Sequence, residues 1–191
     1  MSIPTVVVSR GSHSLVKNRI VELNEHHSSE VLVNLDTVYL TLFNDLMSWA
    51  HQHKLRHINN KIIFMFFDGV NSVLDFIGEL LDYQRDCYTP VLLKEVYLYF
   101  DSSVTQTVNS GDPYSFLRLE ASTEFSILAA VTLDVLRHLS CMVDRVCGVY
   151  FDDFTSTGSR EQWLQALMRN HPKLERINLS LFQLLVMRGF V

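Results

Sequence analysis

The sequence predicts an α/β fold built from repeating strand–helix units around a parallel sheet. Three observations predict it. One frame, apolar-two residues-apolar-one residue-apolar, recurs as Ile3-Val6-Val8, Leu35-Val38-Leu40, Leu93-Val96-Leu98, Tyr114-Leu117-Leu119, Val146-Val149-Phe151 and Leu174-Ile177-Leu179. A degenerate copy places Asn60 before Ile63 and Met65. First positions are 32, 25, 33, 21, 32 and 28 residues apart, so a strand and a helix fit nearly every interval. The intervals also carry helical apolar stripes, such as Val73, Leu74, Ile77, Leu80 and Leu81 at three-to-four spacing. With 48% apolar and 19% charged residues and no low-complexity stretch, residues 1–191 read as one domain with a substantial core.

The elements follow in order. A strand over about 4–9 ends at Ser9-Arg10-Gly11, and a helix spans about Ser14–Asn24. Val31–Leu42 reads as a strand, after which Asn44 or Asp45 caps a helix bearing Leu46, Met47 and Trp49. Lys61–Phe67 is a continuous apolar strand closed by Asp68-Gly69, and the striped helix follows it. Leu92–Phe100 is the fourth strand, and Ser102–Pro113, with its Gly-Asp-Pro turn, is the most loop-like segment. A long helix is expected over about Thr123–Val143, then the strand Val146–Phe151. Ser159 and Gln162 have capping-box spacing, opening a helix with Trp163, Leu164, Leu167 and Met168 that stops at His171-Pro172. Leu174–Leu181 is the last strand.

Strand–helix alternation implies right-handed crossovers between parallel strands. Two architectures satisfy it: a one-sided solenoid with helices on the outer face only, or a doubly wound three-layer sheet with helices on both faces. The passage from Arg160 to Leu179 (helix, then His-Pro-x-Leu, then the frame) resembles a leucine-rich repeat of the long kind found in F-box and ribonuclease-inhibitor-like proteins, and Leu93–Leu98 is similar. That resemblance implies the solenoid and a role as an adaptor or substrate-recognition subunit. The family places Asn or Cys three residues after the final apolar position. Here Asp68 and Asp101 stand there in two copies, and Phe43, Phe154 and Phe182 in three others.

On the solenoid reading, the frame faces the core and the alternate strand positions Tyr39, Thr41, Phe64, Phe66, Tyr97, Tyr99 and Tyr150 share an open face. An exposed aromatic face of that size marks a partner surface. The favoured function is therefore a non-enzymatic protein–protein interaction module, anchored by Tyr39, Phe64, Tyr97, Tyr99 and Tyr150. Arg118, Glu120, Asp152 and Arg176 form its polar rim. The apolar run Leu181–Met187 and the strand that starts near Met1 leave both ends of the array uncapped, so a homodimer or a stable complex is expected.

The alternative is an enzyme with an acidic site at strand carboxyl ends, made of Asp68, Asp101, Asp152 and Asp153. With Asp36, Glu120 and Glu124 that set is similar to the acidic sites of PIN-like and 5′-nuclease folds, which implies a metal-dependent nuclease or phosphodiesterase. Asp152-Asp153-Phe154-Thr155-Ser156-Thr157-Gly158 resembles the phosphoribosyl-pyrophosphate loop of phosphoribosyltransferases, which implies ribose and 5′-phosphate contacts there. Short acids also end strands and cap helices, and on that account neither a cofactor nor a metal is expected. If helical, His53 and His57 lie one turn apart, but no acid or thiol has matching spacing.

Charge and composition exclude other classes. Sixteen basic against 21 acidic residues, a net charge of −5 and no basic run beyond two residues disfavour nucleic-acid binding. Three cysteines without paired spacing suit a reducing compartment. No signal-peptide pattern or membrane-length apolar run is present, so an intracellular location, cytoplasmic or nuclear, is expected.

Overall fold

A computed structural model describes residues 4–26, 37–87, 89–101, 103–106, 124–139 and 141–151. The elements are β1 (Val6–Ser9), α1 (His13–His26), β2 (Val38–Leu40), α2 (Phe43–Gln52), β3 (His57–Phe66) and α3 (Val70–Asp86). Then come β4 (Leu92–Phe100), the short α4 (Ser103–Gln106), α5 (Glu124–Leu139) and β5 (Val143–Phe151). The five strands form one parallel sheet in the order β2-β1-β3-β4-β5.

Local chemistry explains the element ends. Leu42 cannot cap α2 with its side chain, so Asp45 acts in reverse and its Oδ2 accepts from the Leu42 amide at 3.0 Å. The chain leaves β3 through Asp68 at φ 62° and Gly69 at φ 90°, a left-handed pair that Asp tolerates and Gly adopts without cost. Those two residues turn the strand straight into α3. Ser72 adds a bond from its hydroxyl to the Gly69 carbonyl at 2.7 Å.

Both faces of the sheet are covered. On one, Val6, Val8, Ile62, Phe64, Phe66, Val96, Leu98 and Phe100 pack with residues of α2, α3 and α5, forming the larger core. On the other, Val7, Ile63, Met65, Tyr97 and Tyr99 pack under Leu15, Val16 and Ile20 of α1. The sheet is therefore doubly wound, the second of the two arrangements that strand–helix alternation allows. In a one-sided solenoid each strand lies beside its sequence neighbours and one face stays open. Here β2 and β3 are separated by β1, and α1 covers the face a solenoid leaves bare.

The single aromatic face is corrected in the same way. Strand register pairs Val7 with Tyr39 and with Ile63, and Ile63 with Tyr97, so Tyr39 and Tyr97 share the α1 face. Phe64 and Phe66, one residue out of phase, point to the opposite core. Phe64 is 1% exposed, Tyr97 4% and Tyr99 3%, so none is a surface anchor.

Several boundaries moved. β3 begins at His57, four residues before the expected strand, and its register shifts between Ile58 and Lys61. Asn60, buried there, donates from Nδ2 to the Pro4 carbonyl at 2.7 Å. β5 starts three residues early, and α4 occupies part of the expected loop. His51 lies in α2, His53 follows its end and His57 opens β3, so these residues do not share a helix. The frames at Tyr114 and Leu174, the strand Leu174–Leu181, the helix from Ser159 and the tail 181–191 lie outside the described residues.

Candidate functional site

The strand order reverses at β1: the chain leaves β1 to α1 on one face, and leaves β3 to α3 on the other. In open parallel sheets the crevice beyond the carboxyl ends at such a reversal is where ligands bind. The turn after β1 is Ser9-Arg10-Gly11-Ser12. The Ser9 hydroxyl accepts from the Gly11 amide at 3.1 Å, and the Ser12 hydroxyl from the Leu15 amide at 3.4 Å. Ser12 thereby caps α1, which has no acidic residue in its first turn.

Arg10 points across the edge to α3, pairing with Glu79 and lying 3.6 Å from Asp75. Glu79 also accepts from the Asn44 amide at 3.4 Å. One carboxylate thus ties the β1–α1 turn to the start of α2 and to α3. Arg10, although at the site's rim, is already engaged.

Gly11 decides where the crevice is open. A Cβ there would lie 2.7 Å from Phe67 Cδ2 and 3.3 Å from Val16 Cγ2. The Phe67 ring therefore plugs the gap between the β1 and β3 ends. About 20 Å³ remains at the β1 and β3 ends beside Arg10, Phe66 and Ser72, and the larger space lies on the other flank, toward β2. There a recess of about 180 Å³ is lined by Ser9, Gly11, His13, Tyr39 and Thr41 over a floor that includes Val7 and Val16. The His13 and Tyr39 rings meet edge to face at 5.0 Å, and Lys17 Nζ lies over the Tyr39 ring, 5.7 Å from its centre.

Burial pushes the Tyr39 hydroxyl above its ordinary pKa of 10.0. Tyr83 shifts the same way, first through burial, with the Val91 amide pulling it down and Cys87 pushing it up. Because the folded state then holds these protons more tightly, stability is unaffected below about pH 10 and is lost as pH rises through the raised values. Urea midpoints of the wild type should fall between pH 9 and 11 more steeply than those of Tyr39→Phe/Tyr83→Phe. Equal slopes would show the shift to be negligible.

The acids expected at strand ends are placed as follows. Asp68 is exposed at the β3 turn. Asp101 follows β4, its amide donating to the Phe66 carbonyl at 2.9 Å, so the β3 and β4 ends are adjacent. Its carboxylate accepts from the Ser103 hydroxyl at 2.6 Å and the Ser103 amide at 3.3 Å, and Ser103 Oγ accepts from the Gly69 amide at 3.1 Å. Asp101 thus caps α4 and links two turns. Among the described residues no group of three or more His, Cys, Asp or Glu side chains could hold a metal. Asp152, Asp153, Arg118 and Arg176 lie outside the described residues. Tyr150 aligns with Tyr99 across β4 and β5.

Ser9, Gly11, His13 and Lys17 were not among the expected site residues, and Thr41 was expected only as a member of the open strand face. Their signal in the sequence is small: a Gly between serines after an apolar run, then His and Lys four apart. No helix among the described residues is long and apolar enough to cross a membrane. No protein-family model, curated protein or solved structure matches this chain.

Proposed function

We propose that this chain is a small-molecule-binding domain whose ligand sits in the recess at the carboxyl ends of β1 and β2. The observation that carries the reading is the recess itself, about 180 Å³ beside the β1–α1 turn at the carboxyl ends of β1 and β2. The recess has a few convergent polar groups on an apolar floor, the usual make-up of a ligand site. An interaction module built on an aromatic strand face loses three of its five expected anchors, because Phe64, Tyr97 and Tyr99 lie in the core. The large exposed apolar side chains on the described surface, Val21 (56%) and Leu81 (46%), sit on α1 and α3, which cover opposite faces. They do not form one docking patch. A metal-assisted site at Asp68 and Asp101 is not preferred, since Asp101 is occupied as a cap.

The test is a thermal-shift screen with small polar metabolites, repeated on Thr41→Trp. Thr41 is exposed and lines the recess, so the larger ring should fill it without entering the core. A ligand at a hundred times its Kd stabilises the native state by about 2.7 kcal/mol, which in a chain of this size moves Tm by roughly 5–10 °C. The shift should appear in the wild type and vanish in Thr41→Trp. A ligand whose shift survives the substitution binds elsewhere and overturns the reading.

A further inference from the structure

We infer that the recess at the β1 and β2 ends takes a small phosphomonoester, an inference that rests on the binding role proposed above and specifies its ligand. Among the described residues the walls contain no acid: those lining the recess are Val7, Ser9, Gly11, His13, Val16, Tyr39, Leu40 and Thr41. Around them two basic side chains converge. His13 and Lys17 lie four apart on α1 and so on one face of the helix. Both contact the same wall, with His13 edge-on to Tyr39 and Lys17 over its ring. Neither forms an ion pair with a described residue, whereas Arg10, Arg19, Arg85, Arg137 and Arg145 all do. In a chain of net charge −5, a recess edged by Lys17 and His13, neither paired with a described acid, and lined by hydroxyls suits an anion with several acceptor oxygens.

Size narrows the class. A cavity of about 150 Å³ accommodates one benzene-sized molecule, so a recess of about 180 Å³ suits a phosphate with a short organic tail rather than a whole nucleotide. The Val7 and Val16 floor receives the carbon part, while the Ser9 and Thr41 hydroxyls, His13 and Lys17 surround the phosphate. Tyr39 has a positioning role, because its ring holds both bases at the rim.

Calorimetric titration of the full chain with glycerol 3-phosphate, and separately with glycerol, tests this. Glycerol 3-phosphate should bind and glycerol should not. His13→Ala and Lys17→Ala should each weaken binding about five- to tenfold and together about fiftyfold, with unchanged circular dichroism and Tm, since both side chains are exposed. Raising salt from 50 to 500 mM should weaken the wild type more than the double variant. Equal affinity in wild type and double variant overturns the anion inference. If instead neutral compounds bind and Thr41→Trp blocks them, the binding role stands and the phosphomonoester inference falls. If glycerol 3-phosphate binds equally well in Thr41→Trp, both fall.

Discussion

Phe64→Ala should cost about 3–5 kcal/mol of stability, the usual range for truncating a buried Phe. The side chain is 1% exposed, 4.9 Å from the Phe76 ring and 6.4 Å from the Phe43 ring, so it joins β3 to both α3 and α2. Neither helix can collapse alone into the space left behind, because each is also held by other core contacts. At roughly 2–4 °C per kcal/mol for a chain of this size, Tm should fall by about 6–20 °C. Tyr97→Ala on the opposite face should lose a comparable amount by removing the support under α1. A Tyr97→Ala protein with wild-type Tm would restore the open aromatic face and overturn the three-layer architecture. Urea unfolding of both variants reads the two faces separately.

Gly11→Ala should destabilise by about 1–3 kcal/mol, the scale of overpacking a filled interior. Taken alone, replacing Gly by Ala lowers the entropy of the unfolded chain and stabilises by about 0.4–1 kcal/mol where the backbone allows it. Contact decides the sign here. The new methyl would meet Phe67 Cδ2 at 2.7 Å, and Phe67 is buried against the Tyr99 ring at 5.6 Å, so it has nowhere to turn. Phe67→Leu should recover part of the loss only when Gly11→Ala is present, giving a coupling of about 0.5–3 kcal/mol in a double-mutant cycle. Additive effects would mean that Gly11 does not pack on Phe67. The same pair plugs the crevice between β1 and β3, so its relaxation should also change ligand affinity in the neighbouring recess.

Strand–helix alternation was legible because its signals are local. β4 coincides with the expected strand, and α3 follows the Asp68-Gly69 turn as expected. The misplaced face came from β3. There Ile63 and Met65 of the degenerate frame lie on the α1 side, while Val6 and Val8 of β1 and Leu93, Val96 and Leu98 of β4 face the other core. A strand buried on both sides alternates nothing visible, so its run of five buried residues, Ile62–Phe66, carries no phase. The register shift between Ile58 and Lys61 is a pairing event with no mark in composition. The acid at Asp101 had both a capping and a catalytic reading in sequence, and only the Ser103 contacts chose between them.

By itself, then, the order of residues determined the α/β class, the parallel pairing and, among the described residues, most element positions, because apolar period, turn residues and caps act within a few residues of chain. Tertiary structure alone decided that β1 lies between β2 and β3, that helices cover both faces, and that His13, Lys17, Tyr39 and Thr41 meet at one recess. Strand order depends on which crossover packs each helix against which face, a balance of contacts between segments far apart in sequence. No local pattern records that balance. The recess exists only because α1 crosses to its own face at β1, the point where the sheet reverses.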